Sequence, residues 1–86
     1  MKSAYHVTSV EYLGGYRLRI GFADGLIADV DLAAKLRGKV GPVFEPLRDK
    51  AFFAHAAVDD ELGTVVWPNG ADLAPDVLHE EAVSVA

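Results

Sequence analysis

Residues 16–22, Tyr-Arg-Leu-Arg-Ile-Gly-Phe, alternate strictly. A period of two places Tyr16, Leu18, Ile20 and Phe22 on one face of a strand and Arg17 and Arg19 on the other, which no helix can do. One face is core and the other is wet, the signature of an antiparallel sheet. Upstream, residues 6–13 mix β-branched and aromatic side chains, and Gly14-Gly15 supplies a two-residue turn between the two strands. Downstream, Asp24-Gly25 can take the two positive φ angles of a type I′ turn, after which Leu26, Ala28 and Val30 resume the alternation. Residues 6–30 are therefore predicted to form a three-stranded meander.

The rest of the chain must complete a single core with it. At 86 residues there is room for one domain, 1–86, and no second core. A domain of this size buries only about 60% of its unfolded surface, so a partner or a second copy is one way to cover the remainder. Asp31 can cap a short helix over 32–37 with Gly38 at its left-handed C′ position. Pro42 and Pro46 exclude a helix between them, leaving Val43, Phe44 and Leu47 to pin a connecting loop. Asp49 opens about two further helical turns anchored by Phe52 and Phe53. Val58 and residues 65–67 are strand-like around an acidic turn with Gly63, and Pro75 fits the first turn of a last helix carrying Asp76. The predicted fold is α+β: a mostly antiparallel sheet of about five strands with two or three short helices.

The absence of cysteine excludes disulfides and thiolate metal sites. No apolar run approaches the roughly 20 residues of a membrane span, and the start, MKSAYHVTSV, has no leader pattern, so a cytoplasmic protein is expected. Charge is divided unequally. Residues 1–50 hold all eight cations beside six acids, whereas residues 51–86 hold seven acids and no Lys or Arg, a local net charge of −7. Such a half suits a basic partner and disfavours direct nucleic-acid binding.

Candidate chemistry concentrates near Trp67-Pro-Asn-Gly-Ala-Asp-Leu-Ala-Pro-Asp. Trp67 has the size of a core anchor whose indole N–H seeks one acceptor. Asn69-Gly70 tolerates a turn, and Asp72 can accept backbone amides ahead of Pro75. In the last helix Asp76 and His79 are three apart, which would allow an acid–base pair or two ligands of a metal site together with Asp72. His55 with Asp59, Asp60 and Glu61 lacks the alternating ligands of a calcium loop and fits a turn. His6 is expected at a strand edge. Arg17 and Arg19 with Lys35, Arg37 and Lys39 form a basic side, without the aromatic interleaving of a nucleic-acid groove or the glycines of a phosphate cradle. No serine stands on a nucleophile elbow.

The blocks Phe-Ala-Asp-Gly at 22–25, Val-Asp-Leu at 30–32, Phe-Glu-Pro-Leu-Arg-Asp at 44–49 and Trp-Pro-Asn-Gly-Ala-Asp-Leu-Ala-Pro-Asp-Val-Leu at 67–78 resemble, in order and spacing, the bacterial domain of unknown function 2442 family. The resemblance covers nearly all of the chain. It implies a small α+β domain and genomic company suggestive of toxin–antitoxin pairs, with no catalytic residue to carry over. Some members continue into a helix-turn-helix domain; this sequence stops at Ala86, so no direct DNA binding is expected. The expected function is a non-enzymatic interaction module, antitoxin-like, that meets a small protein encoded nearby through Asn69, Asp72, Asp76 and Glu80, with no cofactor. The alternatives are a metal-binding protein or enzyme using Asp72, Asp76 and His79, and a weak nucleic-acid binder using Arg17 and Arg19.

Overall fold

The computed structural model describes residues 5–37 and 41–85. Its frame is the predicted meander: β1 (Val7–Gly14), β2 (Arg17–Phe22) and β3 (Ile27–Asp31) pair antiparallel in the order β1-β2-β3. The register sets Ile20 opposite Val10 and Ala28, and Leu18 opposite Tyr12 and Val30, so one face is apolar throughout. Leu18 and Ile20 are fully buried.

Both hairpin turns differ from expectation. Gly14 pairs with Arg17, so the first turn is Gly15-Tyr16, and the register shifts between Tyr12 and Gly14. Gly14 and Gly15 both have positive φ, at 103° and 57°, which spends one glycine on the irregular pairing and the other on the turn. Tyr16 thereby leaves the strand. Its hydroxyl donates to the Arg48 carbonyl and its ring meets Phe53 edge-on at 5.4 Å. The second turn is a three-residue loop, closed by the Phe22 N–H on the Leu26 carbonyl at 2.8 Å. Only Gly25 has positive φ there; Asp24 instead accepts the Leu26 N–H at 3.0 Å, the Asx arrangement that makes a type I′ turn unnecessary.

The first predicted helix is a single 3-10 turn, Ala33–Leu36. Asp31 accepts the Ala33 N–H at 2.9 Å as a cap would, but Arg37 is already extended, so no α-helical turn develops. Gly38 and Lys39 lie outside the described residues. A second 3-10 turn, Glu45–Arg48, forms where the prolines argued for loop. Pro46 is tolerated because it sits in the first turn, where an N–H is unneeded. Leu47 is buried there, whereas Val43, expected to pin the loop, is 46% exposed. Asp49 caps α1 (Lys50–Phe53) by accepting the Ala51 N–H at 3.0 Å. The helix runs one turn and then tightens, with His55 and Ala56 donating to the carbonyls of Phe52 and Phe53. Phe53 is fully buried.

The last two strands form a separate hairpin, β4 (Ala57–Asp59) with β5 (Thr64–Val66). The five strands thus divide three and two, tied where the Val7 N–H donates to the Gly63 carbonyl at 2.9 Å. After β5 the chain turns back on itself. The Trp67 N–H reaches the Ala71 carbonyl at 2.9 Å, the Leu73 N–H reaches Val65, and Asp72 bridges to Val66. Then α2 (Pro75–Val85) packs against β3 and buries Leu78 and Ala82. Among the described residues no helix is long and apolar enough to cross a membrane.

Candidate functional site

Trp67 is 3% exposed, and its indole N–H donates to the Phe53 carbonyl at 2.9 Å. It is the predicted core anchor with its one acceptor found. Asn69 is committed at both ends of its amide: Oδ1 accepts the Ala71 N–H at 3.1 Å and Nδ2 donates to the Val43 carbonyl at 2.8 Å. Its work is to hold the turn and pin the loop before the second 3-10 turn. Asp72 does not accept the backbone amides ahead of Pro75 as expected. Its backbone bridges to Val66, which directs its carboxylate to the exposed side, and among the described residues that carboxylate makes no hydrogen bond.

The pairing of His79 with Asp76 that their spacing would allow does not form. His79 Nε2 lies 2.7 Å from Asp24 Oδ2, in the β2–β3 turn. Edge-on contacts with Tyr5 at 5.0 Å and Phe22 at 4.9 Å fix the imidazole, which is only 15% exposed. The Leu26 amide first, and the His79 ring second, hold the Asp24 carboxyl below the usual carboxylate range. His79 therefore fastens α2 to the meander.

Outward from this contact, α2 presents a stripe at helical spacing. Asp76, His79, Glu80, Val83 and Ser84, together with Tyr5, line an open groove of about 440 Å³. Tyr5 is 45% and Val83 56% exposed. Among the described residues none of Asp72, Asp76 and Glu80 has an ion-pair partner, whereas Glu81, one residue on, meets Lys35 at 2.8 Å. The stripe 76/79/80/83 is legible in the sequence; Tyr5 and Asp24 are not, because nothing local brings them to α2.

The other candidates are absorbed by the fold. Asp59 accepts the N–H groups of Glu61 and Leu62 at 2.9 and 3.0 Å, making the acidic cluster a turn. His6, expected at an edge, is wedged beneath Gly63, where an added Cβ would meet its Nδ1 at 2.4 Å. Arg19 grips Asp29 through Nε at 2.8 Å and Nη2 at 3.3 Å, with Glu11 at 3.8 Å on the other strand. That pairing lowers the Asp29 carboxyl; Arg17 stays exposed. Among the described residues no three His, Asp or Glu side chains converge as a metal site.

A second hollow lies beside Trp67: an apolar cavity of about 230 Å³ with Lys35 at its wall.

Compared with known proteins, residues 7–84 match the model of a family described as protein of unknown function (DUF2442). No curated protein and no solved structure matches the chain.

Proposed function

Since the chain belongs to the DUF2442 family, whose description assigns no activity, we propose its role from its own surface: a non-enzymatic interaction module whose α2 face docks on a basic surface of a small protein encoded beside it. One observation carries this reading. Asp76 and Glu80 stand one helical turn apart in a groove with exposed Tyr5 and Val83, and no cation of the chain pairs with either carboxylate among the described residues. Unpaired carboxylates over exposed apolar side chains combine steering charge with area to bury, which a basic partner with an apolar centre would use.

The setting proposed is the cytoplasm of a bacterium, and the antitoxin-like role follows the same logic: an acidic surface that covers a basic one blocks whatever that surface does. The seven acids of residues 51–86 steer the encounter over about 10 Å at 0.1 M salt. The test is co-expression with the product of the neighbouring gene. The two proteins co-purify at low salt, and the double reversal Asp76→Lys with Glu80→Lys abolishes this while leaving the circular dichroism spectrum intact. Co-purification that survives both the reversal and high salt refutes the α2 face as the interface.

A further inference from the structure

We infer that the apolar cavity beside Trp67 is a binding site for a small monocarboxylate with an apolar tail. The cavity, about 230 Å³, opens between the two 3-10 turns, α1 and the Trp67 hairpin, walled by Leu36, Phe44, Leu47, Phe53, Trp67 and Leu73. Protein interiors are packed as densely as organic crystals and leave few voids larger than a water molecule. Water has little reason to fill this one: the Trp67 N–H is already spent on the Phe53 carbonyl, so the aromatic and leucine walls offer almost no partner. Apolar cavities of about 150 Å³ stay dry and take up benzene-sized molecules, whereas sites for drug-sized ligands begin near 300 Å³. The occupant is therefore small and apolar over most of its length.

Its polar end is set by Lys35, the one charged residue among the described residues of the lining. The Lys35 ammonium is 2.8 Å from Glu81 and its side chain is 38% exposed. An ammonium has three donors and Glu81 takes one, so a ligand carboxylate can bind beside Glu81 without displacing it. An ammonium head group would have to displace Lys35 from Glu81, and it meets no acidic residue among the described residues of the lining.

Octanoate is the probe, and Trp67, the chain's single tryptophan, is the reporter. Titration into the full-length protein should change Trp67 fluorescence saturably and raise Tm. Octanol should bind more weakly and octylamine weakest. Lys35→Met should weaken octanoate about tenfold, the size of a lost charge-assisted hydrogen bond, and leave octanol unchanged. Leu73→Phe, which fills the cavity, should weaken octanoate and octanol together. Independently of any variant, transferred NOEs should connect the octanoate methylenes to the Trp67 ring. A linear, unsaturable response, equal binding of all three probes, or the absence of those NOEs in the wild-type protein overturns the inference and leaves the α2 reading untouched.

Discussion

Single residues carry several of the fold's constraints, and the glycines separate two of them. Gly63 and Gly70 both have positive φ, at 66° and 88°. An added Cβ at Gly70 meets nothing within 4 Å, whereas at Gly63 it meets His6 Nδ1 at 2.4 Å. Both substitutions by Ala incur the left-handed cost, roughly 1–2 kcal/mol, but only Gly63→Ala also has to displace the His6 imidazole. Thermal melts should therefore show Gly63→Ala less stable than Gly70→Ala; equal melting temperatures would contradict the packing described for His6. The turn role of Asn69-Gly70 was legible because its chemistry is local. The Asn69 bond to the Val43 carbonyl spans 26 residues and has no sequence signal.

At the scale of elements, legibility follows the length of the periodic segment. The meander announces itself through alternation in its second and third strands, with the β-branched and aromatic first strand set off by Gly14-Gly15. The short helices do not, because an Asp cap looks the same before a 3-10 turn as before an α-helix, and the outcome rests on where the next leucine must be buried. The contact of α2 with the β2–β3 turn is hidden for another reason: His79 and Asp24 are 55 residues apart, and Asp76 offered a nearer partner. The Asp24 carboxylate, held first by the Leu26 amide and then by His79, has a pH consequence. The Asp24 carboxyl is lowered in the folded chain, so its stabilisation is complete above the unfolded value near 3.9 and is lost as pH falls through the lowered folded value. Asp29, lowered by Arg19, acts in the same direction. The protein should lose stability as pH falls below about 4. Asp24→Asn, whose amide oxygen can still accept the Leu26 N–H, should flatten that acid limb without removing the part due to Asp29. Parallel acid limbs for the two proteins would show that the Asp24 carboxyl is not lowered in solution by the Leu26 amide and the His79 ring.

Over the whole molecule, the division of charge seen in the sequence becomes a division of surfaces. On the sheet's polar face Arg19 is already matched by Asp29 and Glu11. On α2 and the approach to it, Asp72, Asp76 and Glu80 are matched by nothing among the described residues. Composition told of the excess of acids but not of their arrangement, since only the fold sets Tyr5 beside the helix stripe. It also separates residues that the sequence grouped together: Asn69 is occupied by the loop it pins, and Asp72 stands outside the groove of Asp76 and Glu80. The claim that α2 is the docking face is tested most directly by backbone amide chemical-shift mapping of the isotopically labelled protein, titrated with the neighbouring gene product at low salt. The account predicts perturbations gathered on Tyr5 and residues 76–84, fading as salt is raised; perturbations gathered on the Arg17–Arg19 face of the meander, with α2 unmoved, would contradict it.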